Sequence, residues 1–136
     1  LIEKNNIENG NILIPAGMRI KKTGEWKRNN PEILNKNGDI AILLKRNSEF
    51  NGNIIITRNN KTDKTYVGDY GEGKLPLING EESVIRINNS NTYVTSIEVT
   101  GEKALRGIHV TTPYIGTMEN IVITQFHIAK QQLWIM

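Results

Sequence analysis

Apolar residues recur at alternate positions in several short stretches of the chain, which is the period of a half-buried β-strand. The clearest stretch alternates Ile40, Ile42 and Leu44. Similar stretches lie at 11–14, 18–20, 54–56 and 65–67, and residues that favour turns separate them. The pattern predicts short strands, each a few residues long.

One segment has the features of a helix start. Asn30 is a suitable N-cap, Pro31 fits the first helical position, and Gly38 would end the helix within about two turns. The sequence therefore predicts at most one short helix, near the N-terminus.

The second half of the chain contains an internal repeat. The segment that starts at Asn91 matches the segment that starts at Asn120 in chemical type, which is a shift of 29 along the chain. A second match, of 85–87 with 108–110, has a shift of 23. The two shifts are consistent with one solenoid if the additional residues of the longer shift lie in the turn at 111–117. Repeats of this length with short strands and no regular helix predict a β-solenoid of about four to five coils.

The composition agrees with stacked coils. The chain has 21 Ile but four Ala, and 18 Asn beside 12 Gly. Isoleucine favours strands, and in a parallel solenoid it would stack on the residue one coil away, about 4.8 Å distant. Asparagine accepts the conformations that corners need, so we expect Asn91 and Asn120 to bond along the axis.

Charge and cysteine content exclude several classes. Seventeen Lys and Arg against fourteen Asp and Glu give a net charge of +3, which is too small for a nucleic-acid binder driven mainly by charge. Without cysteine, disulfides and thiolate chemistry are excluded. The longest apolar run, Ile40 to Leu44, is far shorter than the roughly 20 residues that cross a bilayer, so we expect no membrane insertion.

The ends of the chain suggest that it belongs to a longer protein. It starts at Leu1 without a signal-peptide pattern and ends on the apolar segment 133–136. We expect a single β-helix domain over 1–136, with a cap region at 1–37 and coils at 38–136. Because solenoids need caps, an uncapped C-terminal end would favour self-association.

Two segments carry a resemblance to a known group of proteins. They are NKNGDIAILLKRNSEFNGNIII, from Asn35 to Ile56, and KTYVGDYGEGKLPLING, from Lys64 to Gly80. They resemble the N-terminal coils of the right-handed parallel β-helix superfamily of pectate lyases and related polysaccharide-processing proteins. The resemblance covers roughly 35–130 of the chain.

The resemblance implies an all-β, right-handed parallel β-helix, a secreted protein or one at a cell or virion surface, and a polysaccharide partner. It also leaves room for Ca²⁺ as a cofactor, although no cofactor follows from the residues, and it places catalytic residues on later coils.

The shift of 23 predicts a candidate site. If the isoleucines at 85, 87 and 108 point inward, Arg86 and His109 point outward and stack. Together they could bind a uronate carboxylate, with His109 as the base of a β-elimination. The alternative is a solvated polar face. By the same logic Glu98 and His127 stack on another sheet as a cross-strand charge pair.

Two aromatic residues are further candidates for binding substrate. Trp26 and Tyr70 could stack on sugar rings, with Trp26 buried beneath a cap as the alternative. The segment 68–74, GDYGEGK, has the spacing of a phosphate loop, but Leu75 and Pro76 follow it, so a glycine-rich turn is favoured.

The acidic residues give little support to a hydrolase or to a metal centre. Asp39, Asp63 and Asp69 are all predicted in turns, so no carboxylate pair for a glycosidase emerges. No set of metal ligands emerges either.

These features favour a lyase-like depolymerase of acidic polysaccharide, of which this chain would supply scaffold and part of the glycan-binding face. The alternative is a non-catalytic β-helix, namely an adhesin or a phage tailspike segment that binds surface glycans. The residues leave the choice between them open.

Overall fold

The computed structural model describes residues 7–8, 11–14, 38–58, 62–112, 118–129 and 134–135, and for 7–8, 11–14 and 134–135 only the strands are described. Twelve β-strands and no helix occur in these ranges. The predicted helix at Asn30, the extended piece at 18–20 and most of the predicted cap lie outside them. No helix in the described ranges is long and apolar enough to span a membrane.

The strands are β1 (Ile7–Glu8), β2 (Asn11–Ile14), β3 (Ile40–Lys45), β4 (Glu49–Asn51), β5 (Ile54–Ile56), β6 (Thr65–Tyr70), β7 (Leu77–Asn79), β8 (Glu82–Ile87), β9 (Thr92–Thr100), β10 (Ala104–Val110), β11 (Ile121–Ile128) and β12 (Trp134–Ile135). All pairs between them are parallel except that of β1 with β2.

The strands form two sheets, one of eight strands and one of four. Each coil of the solenoid has three faces. The first face contains β3, β6 and the beginnings of β9 and β11. The second contains β4, β7 and the ends of β9 and β11. The third contains β5, β8, β10 and β12.

The structure is a parallel β-solenoid of about 3 turns, which confirms the predicted all-β class. The number of coils is slightly lower than the four to five predicted. The shift between neighbouring coils also varies along the chain. Ile54, for example, pairs with Ile85, and Thr92 pairs with Ile121. The right-handedness of the coils stays a prediction.

The hydrophobic core is built from columns of stacked side chains, one residue from each coil. Ile54, Ile85 and Ile108 are register partners on the third face and are at most 5% exposed. The other faces supply the columns Ile42, Val67, Val94, Ile123 and Phe50, Ile78, Val99, Ile128. The excess of isoleucine is thereby explained, because each column requires an apolar residue at the same place in every coil.

The two repeat shifts are both confirmed. β9 pairs with β11 at the shift of 29, and β8 pairs with β10 at the shift of 23. The connection from Val110 to Ile121 is longer than the equivalent connection from Ile87 to Thr92. The additional residues therefore lie in this turn, of which 113–117 are outside the described ranges.

A bend inside β9 divides this long strand between the first and second faces. Ser96 has a φ of 58°, and Gln125 repeats the bend in β11 with a φ of 47°. The Ser96 hydroxyl donates to Oε1 of Gln125 over 2.8 Å. This hydrogen bond joins the two coils at the bend.

The segment GDYGEGK, which was predicted to be a glycine-rich turn, is a strand end followed by a turn. Gly68, Asp69 and Tyr70 belong to β6, and 71–74 form an exposed turn with no helix after it. Asp69 was predicted in a turn, and this prediction is wrong. Its carboxylate pairs with the guanidinium of Arg46, which also donates to the carbonyl of Gly73 over 2.8 Å.

Candidate functional site

Arg86 and His109 are neighbours on the outer side of the third face, where the sequence placed them. They are register partners in β8 and β10, and Ile55 precedes them in β5. Arg86 is exposed and His109 is half-buried. The side chains of Ile85 and Ile108, which come immediately before them, are fully buried in the core.

Sequence reasoning missed Arg106, which also lies at this site. Strict alternation is broken in both strands: Val84 and Ile85 are both buried, and so are Gly107 and Ile108. A Cβ at Gly107 would meet Val99 in the core at 3.1 Å, so this position faces inward. Because two buried residues follow each other in each strand, the residues on either side of them are three positions apart and less buried. These residues are Ser83 and Arg86 on β8 and Arg106 and His109 on β10.

A sequence signal for Arg106 did exist, because the shift of 23 places it beside Ser83. The irregular register between Ala104 and Arg106 cannot be read from the sequence, and it decides which side chains share the outer face.

The two arginines of the site have no ion-pair partner among the described residues. The side chains of Arg86 and Arg106 form neither an ion pair nor a hydrogen bond within those ranges. Burial lowers the pKa of His109 below 6.5, and the charges of Arg106 and Arg86 lower it further. The imidazole is therefore neutral near pH 7 and can accept a proton.

The hydroxyl of Ser83 is close to His109. Ser83 Oγ lies 3.4 Å from His109 Nδ1. When Nδ1 carries the proton and faces Ser83, Nε2 is free to act as a base. The arrangement can thus bind a carboxylate between two guanidinium groups and accept a proton beside it.

The other predicted substrate-binding residues do not join this group. Tyr70 ends β6 on the first face, where its register partner is Lys45, and burial raises its pKa. It is therefore in a different sheet from Arg86 and His109. Trp26 lies outside the described residues.

Glu98 and His127 are register partners in β9 and β11, as predicted. They form neither an ion pair nor a hydrogen bond with each other. The prediction of their alignment is confirmed, and that of a charge pair is wrong.

Two of the acidic residues are used to close a corner between coils. Asp39 Oδ1 accepts the backbone N–H of Lys64 over 2.8 Å, and Asp63 Oδ2 accepts that of Gly38 over 2.7 Å. In the described ranges no group of three or more His, Asp or Glu residues could hold a metal ion.

Comparisons of the chain with protein-family models, with curated proteins and with solved structures find no match. The feature that this chain has in common with β-helix proteins is the parallel β-solenoid. A pectate lyase-like assignment has no support from these comparisons.

Proposed function

We propose that this β-solenoid binds acidic polysaccharide at the outer side of its third face and cleaves it there as a lyase-like depolymerase. We also propose that the chain belongs to a secreted or surface-exposed protein. The observation that carries the proposal is the group of Arg86, Arg106 and His109. Among the described residues these two arginines form no ion pair, and the charge of each lowers the pKa of His109, which favours the neutral imidazole. A uronate presents the complementary chemistry, a carboxylate with an acidic C–H beside it.

In this reaction Arg86 and Arg106 bind the uronate carboxylate. Nε2 of His109 removes the proton at C5, and the electron pair moves toward the carboxylate, where the two positive charges stabilise it. The C4–O bond then breaks, a double bond forms between C4 and C5, and the leaving oxygen takes a proton from water. The hydroxide that remains accepts the proton held by His109, which restores the neutral imidazole. The reaction requires neither an oxidant nor a reductant.

The second candidate is a non-catalytic adhesin or phage tailspike segment that binds the same polysaccharides. One observation favours it: among the described residues, the only group within hydrogen-bonding distance of the His109 ring is the Ser83 hydroxyl. No second acid or base from those residues is in place beside the imidazole to protonate the leaving oxygen, which binding alone does not need.

The test uses the full chain with polygalacturonate, alginate, hyaluronan and chondroitin sulfate, with and without added Ca²⁺. Ultraviolet absorbance follows the unsaturated uronate product, and affinity electrophoresis measures binding. We expect product from at least one polymer, with loss of activity in Arg86→Ala and His109→Ala. His127→Ala is the matched control, because it removes an outward-facing histidine from another face.

Binding without product, abolished by Arg86→Ala, would support the non-catalytic candidate and overturn the lyase. Neither binding nor product with any polymer would overturn both. Unchanged activity in His109→Ala would remove the imidazole from the reaction.

A further inference from the structure

Two tyrosines lie side by side on the outer side of the first face. Tyr66 of β6 and Tyr93 of β9 are register partners, in the row that runs from Ala41 to Val122. Tyr66 is 39% exposed and Val122 43%. The row is thus an exposed apolar strip with two adjacent aromatic rings at its centre.

Gly68 leaves space on the outer side of the sheet for the ring of Tyr66. A Cβ at this glycine would be 2.5 Å from Cε1 of Tyr66 and 3.1 Å from its Oη, so the ring covers the place that a side chain would fill. The ring therefore lies over the strand at Gly68 and is partly exposed to solvent.

On one side, the two rings are bordered by uncharged positions that carry hydroxyl groups. The neighbouring row contains Thr95 and Thr124, whose hydroxyls are joined by a hydrogen bond of 2.9 Å. The strip carries no charged side chain, and neither do these two threonine positions, in contrast to the arginines on the third face. This chemistry suits a neutral polyhydroxy ligand.

We infer that Tyr66 and Tyr93 form a platform that binds neutral pyranose residues of an extended polysaccharide. The C–H face of a pyranose packs on the negative face of an aromatic ring. Neighbouring strands are about 4.8 Å apart, close to the advance of one sugar unit in an extended chain. Consecutive sugars running along the solenoid axis would therefore meet consecutive tyrosines, and their hydroxyls would face the threonine row.

This site goes beyond the proposed function because it takes a different ligand on a different sheet. The third face requires a carboxylate, whereas the platform does not. Failure of the two proposals can therefore be told apart by comparing neutral with acidic oligosaccharides.

Isothermal titration calorimetry of the full chain with β-1,4-linked hexasaccharides of glucose, mannose and xylose tests the inference, with oligogalacturonate measured in parallel. We expect at least one neutral hexasaccharide to bind, and Tyr66→Ala and Tyr93→Ala each to weaken binding about tenfold. Tyr66→Phe keeps the ring and should retain binding.

Gly68→Ala is the most informative variant, since it leaves both tyrosines in the chain but forces the ring of Tyr66 off the sheet. We expect it to weaken binding as Tyr66→Ala does. Leu105→Ala removes an exposed apolar side chain from the third face and should have no effect, and neither should Arg86→Ala. Thermal unfolding of each variant shows that it is folded.

Absence of binding to all three neutral hexasaccharides would overturn the inference, as would unchanged affinity in folded Tyr66→Ala and Gly68→Ala. A sedimentation coefficient that falls in Tyr66→Ala would also overturn it, because the strip would then be an interface between two copies of the chain.

Discussion

Asn120 donates from Nδ2 to Oδ1 of Asn91, its counterpart in the preceding coil, over a distance of 2.8 Å. Both residues have left-handed backbone conformations, with φ of 58° and 56°. Asparagine tolerates this region better than most residues, and its amide can donate and accept at once. One residue type therefore turns the chain at the corner and ties it to the corner of the next coil.

We expect Asn120→Ala to lower the free energy of unfolding by about 1–3 kcal/mol, because it removes this hydrogen bond and places a residue less tolerant of positive φ in a strained backbone region. Urea denaturation measures the change. Asn120→Gly removes the hydrogen bond but fits the backbone, so its loss should be smaller. Equal stability of the alanine variant and the original protein would show that this hydrogen bond contributes nothing to the free energy of unfolding.

Arg58 ties the beginnings of two coils together from a buried position. It is 6% exposed, and it donates from Nη2 to the carbonyl of Gly38 over 2.8 Å and from Nη1 to that of Lys64 over 3.1 Å. Burial lowers its pKa, an effect opposed by Asp63 and Asp39, but a guanidinium stays charged at neutral pH. The backbone N–H of Arg58 donates in turn to Oδ1 of Asn89 over 3.0 Å.

We expect Arg58→Met to destabilise the protein by about 3–5 kcal/mol, because carbonyl groups at this corner lose their donors while the nearby acids lose their cation. Arg46→Met is the matched control. Its ion pair with Asp69 is partly exposed, so the loss should be about 1 kcal/mol or less. Similar unfolding midpoints in urea for the two variants would contradict this account.

Gly101 and Gly68 should respond differently to the same substitution. A Cβ at Gly101 would lie 2.0 Å from the backbone carbonyl oxygen of Gly80, which the fold holds in place. At Gly68 the obstacle is a tyrosine ring that can swing outward. We expect Gly101→Ala to lower the thermal midpoint strongly and Gly68→Ala to change it little. A larger loss in Gly68→Ala would show that the Tyr66 ring is held firmly.

The lowered pKa of His109 makes stability depend on pH in a defined direction. In the unfolded chain the imidazole binds a proton with its ordinary pKa of 6.5, whereas in the folded chain it binds the proton less well. The contribution of neutral His109 to the free energy of unfolding is therefore fully present above pH 6.5, and it decreases as the pH falls below that value. Urea midpoints at about pH 7.5 and about pH 5.5 should differ less in His109→Gln than in the original protein.

The cause of the shift can be tested separately by following the His109 ring protons by NMR. Arg106→Gln and Arg86→Gln should each raise the pKa of His109, and the change in Arg106→Gln should be the larger. A fall in either variant would show that the arginines do not act by charge.

The sequence identified the repeating parts of this protein because each coil must place the same kind of residue at the same place. The two repeat shifts correspond to the registers in which β8 pairs with β10 and β9 pairs with β11. The stacking of Arg86 on His109 follows directly from the shorter shift. The coil count was less accurate, because turn length varies between coils without disturbing the registers of the strands.

The outer surfaces were predicted less completely than the core. Arg106 joins the site through breaks in alternation at Val84–Ile85 and Gly107–Ile108, which depend on how two strands pair. The neighbourhood of Tyr66 and Tyr93 depends on a third register, between β6 and β9. The identical Thr-Tyr-Val triplets at 65–67 and 92–94 mark this register in the sequence, but the two recognised repeat shifts did not include it.

The sequence by itself therefore determined the solenoid, its isoleucine columns and its asparagine corner, because stacking along one axis imposes a period that local residue chemistry displays. Only the tertiary structure decided which further side chains, such as Arg106 beside Arg86 and His109, meet on the outside. Those meetings depend on bulges, turn lengths and the space above a glycine, and these are set by contacts between coils rather than within them.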